Sequence, residues 1–141
     1  MLLAAYAVAA LAGLIHVWIF MLESVWFDRP RVWARFGLKS ASDAEIVHGF
    51  AFNQGFYNLF LAIGVGLGLS LMIRGGSTDA GLVDAGRAIA MFACGSMAAA
   101  GAVLIATDRR FARAAALQIL PGGAAVVLLL LAAIGVPEAG A

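Results

Sequence analysis

Residues 48–58 read HGFAFNQGFYN, and they place an imidazole, three side-chain amides and a phenol in a run that is otherwise apolar enough for a lipid bilayer. Polar groups in hydrocarbon are costly, so they need partners or a function. His16 and Glu23 form a second polar pair, near the end of the first apolar run. The sequence therefore predicts a polar site inside a helical membrane protein.

The composition supports a membrane protein. The 141 residues are 64% hydrophobic and only 12% charged, and the mean hydropathy is +1.00. This length allows about four spans of roughly 20 residues each. A net charge of +1 without a long basic run excludes nucleic acid as an expected partner. The single cysteine, Cys94, excludes an internal disulfide and argues against a cysteine-based metal site.

We predict an all-α, integral membrane four-helix bundle that forms a single transmembrane domain. The expected spans cover about residues 2–21, 46–72, 86–105 and 114–134. A short interfacial segment joins the first two spans, and three tryptophans gather at this end of the bundle, as is typical of a membrane–water interface.

Local signals predict where the helices begin. Pro30 indicates a turn or the first position of a short helix. Ser42 followed by Glu45 matches a capping box at the start of the second span, and Asp84 is the expected cap of the third. Pro121, inside the fourth span, frees a backbone carbonyl one turn earlier.

Basic residues are unevenly distributed over the loops. Seven lie in the first and third loops, and two lie around the second. The positive-inside rule therefore predicts that loops one and three are cytoplasmic and that both termini are periplasmic. The seven are Arg29, Arg31, Arg35, Lys39, Arg109, Arg110 and Arg113.

The polar residues of the first two spans could line one cleft. His16 and Glu23 are seven positions apart, which puts them on one helix face about 10 Å apart. On the second span, Gln54 and Asn58 share one strip and Asn53 and Tyr57 another, with His48 bordering the same cavity. If the two spans pack side by side, these groups converge.

Three uses of such a cluster remain open. In the first, His16, Glu23 and His48 carry out acid–base catalysis, while amides and a phenol orient a ligand. In the second, Glu45 and His48, spaced as Glu-x-x-His, bind a metal; this spacing occurs once, and we predict no metal site. In the third, the polar groups only bond helix to helix. The expected ligand-binding residues are Asn53, Gln54, Tyr57, Asn58 and Gln118.

Three segments together resemble a known family. They are HVWIFMLESVWF at 16–27, NQGFYNLFLAIG at 53–64 and QILPG at 118–122. In order and spacing they are similar to the small bacterial membrane proteins grouped as domain of unknown function 1304. The resemblance implies a four-span fold in the bacterial cytoplasmic (inner) membrane, but no activity. It also implies that the motif residues matter, without giving them roles: His16, Glu23, Asn53, Gln54, Asn58 and Gln118. His48 lies outside these motifs.

Our leading hypothesis is that the protein binds or converts a small lipophilic or amphipathic molecule by His/Glu acid–base chemistry. Isoprenoids, quinones and lipids are candidate ligands. One alternative is a proton-coupled transporter that acts as a homo-oligomer, with Glu23 as its coupling acid. Another is an accessory subunit of a larger membrane complex. Membrane lipid is an expected partner in every case, and the sequence points to no particular cofactor.

Overall fold

The computed structural model describes residues 1–135, and this part of the chain contains helices and no strand. The predicted all-α class is confirmed. Five α-helices follow one another: α1 (Leu2–Phe20), α2 (Pro30–Trp33), α3 (Ala41–Gly75), α4 (Ala80–Thr107) and α5 (Ala112–Ala133). A π-helical turn (Met21–Val25) extends α1, and 3₁₀ turns follow α2 (Ala34–Phe36) and precede α5 (Arg109–Phe111).

Four of these helices are long and apolar enough to cross a membrane, which makes the chain a multi-pass membrane protein. The segments are Leu2–Val25, Ala41–Gly75, Ala80–Thr107 and Arg109–Ala133, with mean hydropathies between 1.9 and 2.2. A helix satisfies its own backbone groups, so it is the expected conformation for such segments in lipid. At 35 residues, α3 is about 52 Å long and exceeds the roughly 30 Å of hydrocarbon in a bilayer.

The helix starts correct two of our predictions. Ser40, not Ser42, caps α3: its hydroxyl accepts from the Asp43 N–H at 3.1 Å, so the predicted Ser42/Glu45 capping box is wrong. Asp79, not Asp84, caps α4 by accepting from the Leu82 N–H at 2.9 Å. Asp84 lies within α4.

Pro30 and Pro121 lie where the sequence predicted, whereas Asp84 forms an ion pair within α4 instead of capping it. Pro30 occupies the first turn of α2, where its missing N–H costs nothing. Asp84, one turn into α4, pairs with Arg87 at 2.8 Å. Pro121 lies within α5.

The chain divides into two compact units. Among the described residues, one consists of residues 1–15 and 61–135, and we call it the core unit. The other consists of residues 16–60, and we call it the polar unit.

The core unit packs through small residues and a few large ones. α4 and α5 pack against each other, and α1 and α3 contribute to the same buried clusters. Small side chains let helix backbones approach closely, as is common in membranes. The fully buried residues of the two clusters include Ala5, Ala9, Ala12, Met72, Ala90, Cys94, Met97, Ala125 and Leu129.

The polar unit is rich in aromatic side chains. Trp18 and Trp26 meet edge to face with ring centroids 5.3 Å apart. The Arg29 guanidinium lies over the Trp26 ring at 5.3 Å, within the range of a cation–π contact. Phe27 is buried, and its ring lies 5.7 Å from that of Phe36.

Candidate intramembrane polar site

A π-helical turn forms the end of the first span. The Trp26 N–H donates to the Met21 carbonyl at 2.8 Å, so this turn encloses one residue more than an α-helical turn does. Such turns are rare and are frequent at functional sites. The turn changes which side chains face α3, and two consecutive ones, Glu23 and Ser24, both bond to that helix.

The Glu23 carboxyl and the Asn58 amide form a hydrogen bond between the π-turn and α3. The Asn58 Nδ2 donates to Glu23 Oε2 at 2.9 Å, and also to the Gln54 carbonyl oxygen at 3.1 Å. Both side chains are half-buried. Glu23 and Asn58 were each predicted as site residues, and the structure brings them together.

Next to this pair, Ser24 and Gly55 set the distance between the two segments. The Ser24 hydroxyl donates to the Phe52 carbonyl oxygen at 2.7 Å. A Cβ on Gly55 would collide with the Ser24 side chain and lie 3.1 Å from the Glu23 Cβ. Only glycine therefore allows this close approach. Because Gly55 and Asn58 are three positions apart, they share the face of α3 that meets the π-turn.

A second contact holds His48. The His48 Nε2 lies 3.3 Å from Asp28 Oδ1, and the His48 ring lies 6.0 Å from that of Phe27. His48 and Asp28 border a cavity of about 440 Å³ together with Trp33 and Glu45. Since His48 and Asn58 are ten positions apart on one helix, about 15 Å of rise separates them. The structure therefore gives His48 a different partner from that of the Glu23–Asn58 pair.

The remaining predicted site residues differ in exposure. His16 is buried, at 1% of its accessible surface. Asn53, Gln54 and Tyr57 are exposed on α3. Gln118 belongs to α5 in the core unit, and its Cβ would lie 3.0 Å from a Cβ on Gly101.

The alignment of His16 with Glu23 does not follow from α-helical spacing. Alignment would require 3.6 residues per turn over all seven positions, whereas the π-turn includes Glu23. As for metals, no three His, Cys, Asp or Glu side chains within residues 1–135 form a group that could hold an ion.

Sequence reasoning missed three residues of these contacts: Ser24, Asp28 and Gly55. Ser24 and Gly55 lie within the quoted motifs, but neither residue by itself indicates that the two segments approach each other closely. Asp28 follows the first span beside Arg29 and reads as an ordinary charged loop residue. The signal that could have identified Gly55 is its position between Gln54 and Asn58, at helical spacing from the latter.

Comparison with known proteins finds similarity at the level of a family model. No curated protein and no solved structure matches the chain. A family model described as "Protein of unknown function (DUF1304)" matches residues 10–130, which include part or all of each of the four spans and both contacts described above. Because this match covers most of its length, the chain belongs to the DUF1304 family.

Proposed function

We propose that this protein binds a small amphipathic molecule within the bilayer and handles its protons through Glu23. The observation that carries the proposal is the hydrogen bond of 2.9 Å between Asn58 Nδ2 and Glu23 Oε2, made between two segments that are otherwise suited to lipid. Ionisable residues within membrane spans are expensive and commonly functional. A bond of this kind contributes only about 0.6 kcal/mol on average to helix association, which is a weak structural reason to keep a glutamate there.

The pair has hydrogen-bonding capacity beyond the bond it makes. A carboxylate offers two acceptor oxygens, and an amide offers a carbonyl oxygen as well as its two N–H groups. A ligand whose polar head carries a hydroxyl or amine donor can bond to these oxygens. Gln54 is exposed one turn before Asn58, so its amide can bind an acceptor on the same head.

The exposed side chains of α3 indicate how a ligand arrives. Asn53, Gln54 and Tyr57 are all exposed, and Tyr57 keeps 56% of its accessible surface. Within a span, an exposed residue faces lipid or a molecule dissolved in it. The ligand therefore enters sideways from the bilayer, with its polar head at the pair and its apolar body among the lipid chains.

Among the three acid–base candidates, we assign proton handling to Glu23, with His16 as a second group. Glu23 bonds directly to an amide that can contact the ligand, and His16 is a buried imidazole of the same unit. His48 and Gln118 stay outside this assignment. His48 pairs with Asp28, and Gln118 packs at Gly101 in the core unit.

The membrane and orientation are also part of the proposal. We place the protein in the bacterial cytoplasmic membrane with both termini periplasmic, because seven basic residues lie in the first and third loops and two lie around the second. Ser24 and Glu23 then lie toward the cytoplasmic end of the first span.

Thiol labelling tests this orientation. Cysteines are substituted for Lys39 and for Thr78 in a Cys94→Ser background, and only the cysteine at position 78 should react from the periplasm.

The function is tested by analysing what copurifies with the protein. Wild type, Glu23→Gln and Asn58→Leu are purified from membranes in mild detergent and examined by native mass spectrometry, with mass spectrometry of the organic extract. Wild type should carry one small amphipathic molecule. Each variant should retain about tenfold less, since a hydrogen bond to a charged group is worth roughly 1.5–3 kcal/mol.

Ser70→Ala provides the matched control. The Ser70 hydroxyl also lies in α3, but it donates to the Gly66 carbonyl of its own helix at 2.7 Å, so its loss should leave the ligand in place. A wild-type protein that carries no ligand, or variants that carry as much as wild type, would rule out the proposal.

A further inference from the structure

An apolar groove runs along the core unit between α1 and α5. Its volume is about 570 Å³. α1 lines it with Val8, Leu11 and Ile15, and α5 lines it from Arg113 to Pro121. At 1.5 Å per residue, the α5 side is about 12 Å long. Apart from Arg113, every residue that lines the groove is apolar.

The groove opens to the surroundings of the bundle. Leu11, Leu117 and Leu120 keep between 52% and 68% of their surface exposed. In a membrane, a groove on such a face is filled by hydrocarbon, because water gains nothing from apolar walls. Its apolar lining suits part of one acyl chain.

The charge at one end of the groove selects the kind of lipid. Arg113 lies in the first turn of α5, and among residues 1–135 no acidic side chain forms an ion pair with it. Arg110, three positions earlier, is already neutralised by Asp108 at 2.6 Å. Arg109, in the same turn, does not line the groove. Arg113 is therefore the cation at the groove that is open to a phosphate, and an acyl chain attached to that phosphate would lie in the groove.

We propose that the α1–α5 groove is a binding site for an anionic phospholipid, with its phosphate on Arg113 and one acyl chain between Leu11 and Leu117. This inference is independent of the Glu23–Asn58 site, since every residue it uses belongs to the core unit. The lipid would fix the bundle at the membrane interface where basic residues meet anionic headgroups.

The test uses lipid nanodiscs containing equal amounts of dioleoylphosphatidylglycerol and dioleoylphosphatidylcholine. Native mass spectrometry of the released protein counts the lipids that stay bound. Wild type should retain one phosphatidylglycerol in preference to phosphatidylcholine. Arg113→Gln should lower that retention about fivefold, the effect expected for one basic residue at a membrane surface.

Two further variants distinguish lipid binding in the groove from general electrostatic attraction between the basic turn and anionic lipid. Arg110→Gln removes a charge from the same turn, but one already paired with Asp108, so retention should change less than about twofold. Ala116→Phe fills the groove without altering its charge and should displace the lipid while the helical circular dichroism stays unchanged.

Three results would overturn the proposal. The first is equal retention of both lipids by wild type. The second is an equal loss of bound phosphatidylglycerol in Arg113→Gln and Arg110→Gln, which would mean that only the net charge of the turn matters. The third is full retention by Ala116→Phe, since this would mean that the headgroup binds without a chain in the groove.

Discussion

Gly86 in the core unit and Gly55 in the polar unit both lie where two segments cross, but they meet different neighbours. A Cβ on Gly86 would lie 2.5 Å from the Gly68 carbonyl oxygen and 2.8 Å from the Met72 nitrogen, which are backbone atoms of α3. A Cβ on Gly55 would meet the side chains of Ser24 and Glu23. Backbone cannot move aside without separating the helices, whereas a serine hydroxyl can rotate.

This difference shows how each unit is built. In the core unit, helices approach until their backbones touch, and dispersion over small residues holds them. In the polar unit, segments are joined by side-chain hydrogen bonds and aromatic contacts, such as Phe20 with Phe56 at 5.2 Å. We therefore expect stability to depend mainly on the core unit, and adjustment around a ligand to occur in the polar unit.

The largest effect should come from Gly86→Ala. The added methyl group forces α3 and α4 apart, and we expect a loss of about 2–3 kcal/mol in the free energy of unfolding. Unfolding in sodium dodecyl sulfate, followed by circular dichroism, measures it. Gly66→Ala is the control, because nothing lies within 4 Å of a Cβ there. Equal behaviour of the two variants would refute the close backbone contact.

Gly55→Ala should cost less, about 1–2 kcal/mol, because Ser24 can rotate away at the expense of its bond to Phe52. Adding Ser24→Ala should recover part of this loss, so the two substitutions should be non-additive. The same unfolding assay measures both. Gly49→Ala, in the same unit with open space around it, should be neutral. Strict additivity would contradict the contact between Ser24 and Gly55.

A double-mutant cycle on Glu23 and Asn58 should give a smaller coupling, about 0.6 kcal/mol, as is typical of interhelical hydrogen bonds in membranes. The cycle compares Glu23→Ala, Asn58→Ala and the double variant by their unfolding free energies. Coupling close to zero would mean that the bond of 2.9 Å does not persist in the membrane. Ligand loss in the same variants would then need another cause.

The smallest effect should be the pH dependence of the α4–α5 turn. Hydrogen bonds from Arg110 hold the pKa of the Asp108 carboxyl below its usual value. A group with a lowered folded-state pKa stabilises the protein above its unfolded-state pKa, and this stabilisation is lost as the pH falls through the folded value. Asp108→Asn should therefore lower Tm slightly at neutral pH, and the difference from wild type should vanish in acid. A difference that persists in acid would contradict this linkage.

The membrane-spanning helices could be predicted from the sequence, but their exact starts could not. Apolar runs of sufficient length have few alternatives to helix in lipid. The caps were missed because Ser40 and Ser42, and likewise Asp79 and Asp84, are chemically equivalent candidates. Which one accepts a helix N–H depends on backbone angles that composition does not reveal.

The sequence identified the polar residues of the candidate site better than it identified which of them are in contact. Glu23 and Asn58 stand out because each is polar within an apolar run, and they bond to each other. The expected convergence with His48 considered its position around the helix but not the roughly 15 Å of rise that separates it from Asn58, and it left Asp28 out. The π-turn has no sequence signal of its own, since its residues, MLESV, would also suit an α-helix.

The π-turn also bears on how the chain tolerates changes of length. A turn closed between Met21 and Trp26 contains one residue more than an α-helical turn. Deleting one residue there can be absorbed by returning to α-helical geometry, so that the flanking residues keep their places. The same deletion within α3 would rotate everything after it by about 100° about the helix axis. The end of the first span is thus a place where an insertion or deletion can reposition a glutamate without disturbing the helix that carries it.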